Sequence, residues 1–98
     1  MKVILSEEAE RDLERISDSI AIDNPARARS FSSELVQSAH GLATMPNRFP
    51  LVDGQPADGI RRRVHGSYGI FYKVGGNRVD VVRILHSARD YEAAFAQN

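Results

Sequence analysis

A chain of 98 residues, 42% hydrophobic and 27% charged, suits one domain with one core and is too apolar to stay disordered. It has no cysteine, which removes disulfides and thiolate chemistry and makes a reducing cytoplasm the expected setting. Net charge is zero, yet residues 1–24 set seven carboxylates against Lys2, Arg11 and Arg15, whereas residues 60–91 set seven cations against Asp80 and Asp90. A basic half of this kind fits an anionic partner, nucleic acid or an acidic protein segment; the alternative is charge that serves solubility alone.

Val3-Ile4-Leu5 predicts a short strand, too brief an apolar segment for a signal peptide. Ser6 follows as a helix cap, with Glu7 and Glu8 well placed in the first turn. The apolar stripe of this helix is Ala9, Leu13, Ile16 and Ile20, with Arg11, Asp12, Glu14, Arg15 and Asp18 expected in solvent. Asn24-Pro25 opens a second helix, since Pro at its first position gives up no needed hydrogen bond. Its stripe is Ala28, Phe31, Leu35, Ala39 and Leu42, so the two helices are expected to form an antiparallel hairpin. Residues 44–59 carry Pro46, Pro50, Pro56, Gly54 and Gly59 and predict an irregular connector, pinned to the core by Phe49 and Leu51. Three strands are expected next, at 60–65, 68–74 and 78–85, with turns at Gly66-Ser67 and Gly75-Gly76-Asn77. From Ser87 a short helix is expected, with Tyr91 and Phe95 one turn apart. The order is β-α-α-β-β-β in a single domain, 1–98. It is an α+β fold, with a helix hairpin packed on an antiparallel sheet and a short C-terminal helix.

A two-residue turn at Gly66-Ser67 pairs Arg63 with Ile70 and Arg61 with Tyr72. A two-residue loop at Gly75-Gly76 pairs Tyr72 with Val79 and Tyr68 with Arg83, bringing Arg61, Arg63, Tyr68, Tyr72 and Arg83 to one face. If Asn77 joins the loop, Arg83 moves to the other face, because a one-residue slip flips every side chain. In either register both faces carry apolar residues and the hairpin covers one. The other is expected to be exposed apolar surface rimmed by arginine, the mark of a protein-binding face. Tyr68 and Tyr72 suit base stacking or, as strand aromatics more often do, the core. His40 and His65 are isolated, no His/Asp/Glu spacing suggests a metal, and no glycine-rich phosphate loop suggests a nucleotide; no cofactor is expected. No apolar run approaches the roughly 18 residues of a membrane span, so no membrane partner is expected.

Five segments in order carry a family resemblance: Leu5-Ser-Glu-Glu-Ala-Glu-Arg-Asp-Leu-Glu-Arg-Ile16, Asn24-Pro-Ala-Arg-Ala28, Gly59-Ile-Arg-Arg62, Gly66-Ser-Tyr-Gly-Ile-Phe-Tyr-Lys-Val74 and Arg83-Ile-Leu-His-Ser-Ala-Arg-Asp90. Over nearly its whole length the chain resembles the ParE branch of the RelE/ParE toxin superfamily of bacterial type II toxin–antitoxin modules. The resemblance implies a small cytoplasmic toxin that poisons DNA gyrase by protein–protein binding and is neutralised by a ParD-like antitoxin. No direct sequence-specific DNA binding is expected. Arg61, Arg63, Tyr68, Tyr72, Arg83 and Arg89 are then the candidate contacts to target or antitoxin.

The RelE branch implies a ribosome-dependent mRNA endonuclease instead. For that chemistry Arg61, Arg83, His86, Arg89 and Tyr91 are the candidate set, cations to hold a phosphate and a His or Tyr to move protons. The competing role for the same groups is structural, with Arg83 and Arg89 paired to Asp80, Asp90 or Glu92 and His86 capping the sheet edge. The ending Leu85-His-Ser-Ala-Arg-Asp90 resembles ParE and lacks the His-Tyr pair of several nuclease relatives. Gly69 stands where many relatives carry a larger, often basic residue. A degenerate toxin that only binds its antitoxin is the third reading.

Overall fold

The computed structural model describes residues 1–52 and 59–86. Strand β1 (Lys2–Leu5) leads into helix α1 (Glu7–Ala21), then α2 (Pro25–His40), two single 3-10 turns at Gly41–Ala43 and Pro46–Arg48, and strands β2 (Arg61–His65), β3 (Tyr68–Gly75) and β4 (Arg78–His86). The expected C-terminal helix, with Tyr91 and Phe95, lies outside the described residues.

Both helices start where the capping chemistry places them. The Ser6 hydroxyl accepts from the Ala9 N–H at 3.0 Å, and Asn24 Oδ1 accepts from the Arg27 N–H at 3.0 Å with Pro25 in the first turn. All five residues of the second stripe, Ala28 to Leu42, are buried; in the first, Ala9 and Ile16 are buried while Leu13 and Ile20 pack partly exposed on the core. Asp12 departs from expectation. It is 1% exposed, although a charged residue in a solvated position was expected there.

The sheet order is β1-β4-β3-β2. β2–β3 and β3–β4 pair antiparallel, but β1 lies parallel to β4, so the sheet is mixed rather than antiparallel. The reason is topological: after β1 the chain crosses the sheet as a helix hairpin and two further strands, and β4 then runs alongside β1 in the same direction. Arg61 faces Tyr72 and Arg63 faces Ile70, as the Gly66-Ser67 turn requires. At the second hairpin neither expected register holds. Gly75 pairs with Arg78, so Gly76-Asn77 is the two-residue loop, with Gly76 at φ +57 supplying the left-handed position.

A second irregularity follows. Tyr72 pairs with Val81 but Phe71 pairs with Arg83, so Val82 is an extra residue, a β-bulge. A bulge leaves a backbone group without its ladder partner. Here the Ser6 hydroxyl donates to the Val82 carbonyl at 2.9 Å, while the Ser6 N–H bonds the Val81 carbonyl at 2.9 Å. The same side chain that caps α1 therefore also closes the bulge in β4.

The helix-side core gathers Phe31, Leu35, Leu42, Ile70, Tyr72, Val79, Val81 and Ile84. The opposite face is not the exposed apolar surface expected from the sequence. Phe71 and Leu85 are 0% and 4% exposed and pack with Val52 and Ile60 in a second cluster. The connector makes the difference. Its 50–52 segment runs along the β2 edge, with Val52 N–H bonded to the Ile60 carbonyl at 2.8 Å and Arg62 N–H to the Pro50 carbonyl at 3.1 Å. Val52 therefore turns inward. Phe49 packs on the helix-side core as expected, but Leu51 does not; it is 42% exposed.

Gly69 lies on this second face, opposite Val64 and Leu85. A Cβ there would sit 3.0 Å from Phe71 Cε1 and 3.1 Å from Arg62 Cδ. Arg62 is a flexible neighbour, but the fully buried Phe71 ring has no room to yield. Gly69→Ala is therefore expected to destabilise the protein by about 1–2 kcal/mol through overpacking, read as a lower urea midpoint with an unchanged slope.

Candidate functional site

Arg61, Arg63, Tyr68 and Tyr72 do share a face, and it is the face beneath the helices and the connector. Tyr72 is wholly buried, its hydroxyl donating to the Pro46 carbonyl at 2.5 Å. Burial pushes the Tyr72 phenol above its ordinary pKa, against the opposing pull of Arg61, Arg63 and Arg48. Arg61 donates through Nη1 to the carbonyls of Phe49 at 2.6 Å and Asn47 at 3.0 Å. Arg63 donates to the Ser38 carbonyl at 3.0 Å and stacks its guanidinium 5.0 Å from the Phe49 ring centroid. Both arginines thus satisfy carbonyls near the end of α2 and in the connector.

These contacts tie the irregular loop to the sheet, and Tyr72→Phe tests them. Removing that hydroxyl leaves the Pro46 carbonyl unpaired, for an expected loss of about 1 kcal/mol in a denaturant melt. The raised folded-state pKa also fixes a pH dependence. Its contribution is fully present below the unfolded value of about 10 and is lost as pH climbs through the higher folded value. The alkaline fall in stability should shrink in Tyr72→Phe.

Arg83 is held by Asp12. Its Nε and Nη2 donate to the two carboxylate oxygens at 2.8 and 3.0 Å, a bidentate pair. The Ile84 N–H adds a third bond to Oδ2 at 2.9 Å, and Arg15 Nη1 a fourth to Oδ1 at 3.0 Å. The expected partner Asp80 pairs instead with Arg78. The bulge at Val82 brings Arg83 into this position, and α1 delivers Asp12 to meet it. Sequence reading missed Asp12, although a signal existed: it lies three residues after Ala9 and four before Ile16, within the buried stripe.

Tyr68 and His86 are directly paired across β3 and β4, their rings edge to face at 5.6 Å, and Phe31 packs on Tyr68 at 5.6 Å. They wall a pocket of about 140 Å³ against α1, with Arg15 and Ser19 on the helical side and Asp12 among its lining. His86 Nδ1 is buried and has no hydrogen-bond partner among the described residues. Arg61 does not join them. It lies opposite Tyr72, four residues along β3 from Tyr68, or roughly 13 Å at strand spacing. Arg89 and Tyr91 lie outside the described residues.

At the far end of β2, His65 bridges to α2, within 3.1 Å of Glu34 and 3.2 Å of the Ser38 hydroxyl. Hydrogen bonds from Arg27 and His65 hold the Glu34 carboxyl below its ordinary range. Among the described residues no three His, Asp or Glu side chains form a metal-binding group.

A two-helix hairpin on a four-stranded mixed sheet is the architecture of the RelE/ParE superfamily. The model of the ParE toxin of type II toxin–antitoxin systems matches residues 3–91, and the chain belongs to that family. It is similar to a structure of the chromosomal ParDE toxin–antitoxin system of P. aeruginosa, with a TM-score of 0.76 and 19% identity over 88% of this chain and 95% of that one. It is also similar to a structure of the RelBE2 toxin–antitoxin complex of Mycobacterium tuberculosis, with a TM-score of 0.65 and 23% identity over 87% and 88%. No curated protein matches the sequence.

Proposed function

We propose that this toxin acts without chemistry of its own. It binds bacterial DNA gyrase in the cytoplasm, traps the cleaved-DNA state, and is neutralised by a ParD-like antitoxin. Family membership supports the module and the ParE branch. One observation in the chain carries the choice of a binding mechanism. Two of the three cations nominated for a phosphate are engaged by internal partners, Arg61 by two backbone carbonyls and Arg83 by buried Asp12; the third, Arg89, lies outside the described residues. A ribonuclease needs cations aimed at the scissile phosphate and an acid–base group within about 3 Å of the reacting oxygen. Arg61 and His86 stand too far apart to serve one phosphodiester. On the second sheet face Val52, Ile60, Phe71 and Leu85 are buried against one another, with the stem of Arg62 lying over Gly69.

A supercoiling assay tests the reading. The purified chain should block supercoiling by gyrase and accumulate gyrase-linked broken DNA, and an equimolar ParD-like antitoxin should restore the activity. Unimpaired supercoiling at micromolar toxin, combined with cleavage of ribosome-bound message, would establish the endonuclease instead. Growth that is unaffected while antitoxin binding persists would establish the degenerate toxin.

A further inference from the structure

Arg11, Arg15, Arg27, Arg78 and Arg83 each meet a carboxylate. Arg48, Arg61 and Arg63 meet none among the described residues, and they converge on one place. Arg48 and Arg63 hold their guanidiniums 4.8 and 5.0 Å from the centroid of the Phe49 ring, and Arg61 donates to the Phe49 carbonyl at 2.6 Å. Arg62, between the two strand arginines, turns to the other face, over Gly69. Burial lifts the pKa of the Tyr72 phenol and all three arginines pull against it, as charges gathered round one point should. Arg61 and Arg63 commit only Nη1 to carbonyls. Among the described residues the buried side-chain polar atoms without a partner are Ser32 Oγ and His86 Nδ1, so the unbonded Nε and Nη2 of both arginines reach solvent. Arg48 is exposed. The internal bonds fix two of the guanidiniums, and an anion therefore meets donors that are already ordered, at a lower entropic cost. Leu51 is bridged to Arg61, hence on its side of the strand, and is 42% exposed.

We infer that this cluster docks an acidic segment of a partner protein, which brings at least two carboxylates to the arginines and an apolar side chain to Leu51. Three cations without a carboxylate supply the charge complement. Nucleic acid fits less well. The Phe49 ring already carries two guanidiniums and Tyr72 is wholly buried, so among the described residues no aromatic face beside the cluster is left for a base to stack on. The inference rests on the arginine cluster and not on gyrase being the target.

The test uses the full chain, uniformly 15N-labelled. The probe is N-acetyl-Glu-Leu-Glu amide, titrated to about 10 mM in parallel with its neutral Gln-Leu-Gln analogue and with a short oligothymidylate. The acidic peptide should give saturable shifts at the Nε–H signals of Arg48, Arg61 and Arg63 and at the Leu51 amide, with a Kd on the order of 1 mM, and the neutral analogue should not. Raising salt from about 0.05 to about 0.5 M should weaken binding several-fold, because exposed charges are screened. Arg48→Gln removes no hydrogen bond seen among the described residues. It should weaken binding roughly three- to fivefold, the worth of one exposed ion pair, with Tm unchanged. Leu51→Ala should weaken it roughly threefold through lost apolar contact. Oligothymidylate bound at the same signals as tightly as the acidic peptide would overturn the protein partner in favour of nucleic acid. The absence of saturable shifts there, equal shifts with the neutral peptide, or binding indifferent to both variants would overturn the site.

Discussion

Asp12→Ala should be among the most damaging single substitutions outside the aliphatic core, lowering stability by about 3 kcal/mol. Removing one member of a buried ion pair leaves the other charge unmatched, at roughly 3–5 kcal/mol. The low end applies because Arg83 keeps 28% of its side chain in solvent, against 1% for Asp12. For a chain of this length that loss lowers Tm by roughly 10–20 °C. Asp12→Asn should be almost as damaging. Every contact on the two oxygens comes from a donor, so an amide nitrogen must face an N–H wherever it points. Arg15→Gln loses only an exposed contact and should stay within about 0.5 kcal/mol of wild type. A paired Asp12→Leu/Arg83→Met replacement should recover part of the loss, because an apolar pair of similar volume carries no unmatched charge. Urea melts of the four variants decide the matter. An Asp12→Asn protein within 1 kcal/mol of wild type would show that the cluster is not a structural clamp.

Most of the architecture was legible because local rules act strongly in this chain. Ser6 and Asn24-Pro25 fix both helix starts by capping, and the Gly66-Ser67 turn fixes the β2–β3 register directly. The features that escaped all depend on contacts between distant segments. Parallel pairing of β1 with β4 is decided by where the last strand returns, and nothing in Val3-Ile4-Leu5 encodes it. The bulge at Val82 has no proline or glycine to announce it. Its compensating bond comes from Ser6, 76 residues away. Asp12 looked like one more solvated acid on an acidic helix because its partners, Arg83 and the Ile84 N–H, lie 71 and 72 residues away.

The candidate site suffered from the same blindness. Arg61, Arg63, Tyr68 and Tyr72 were correctly placed on one side of the sheet, but alternation alone says which residues share a face and not which face is covered. The helices and the connector cover that one. The 50–52 segment, pairing along β2, closes much of the other through Val52. Arg61, Arg63 and Tyr72, which suggested a binding surface, therefore have their polar ends engaged inside the protein.

That placement changes what mutagenesis of the toxin should show. Arg83→Ala should abolish growth inhibition, and the cause should be visible as a melting transition lowered together with that of Asp12→Ala, since the two residues form one cluster. Arg89→Ala should also lose toxicity, with a melting curve to separate folding from binding; arginine is a favoured anchor in protein interfaces, where a few residues carry most of the energy. Tyr91→Phe should stay toxic. An endonuclease that used this phenol would lose on the order of 10²–10⁴ in rate with the hydroxyl, enough to rescue growth completely. A gyrase poison keeps the ring and therefore most of its contact. Cells expressing wild type or Tyr91→Phe should filament and induce the DNA-damage response before protein synthesis falls. Site-specific cuts in ribosome-bound message, present with wild type and absent with Tyr91→Phe, would replace the gyrase reading with the nuclease.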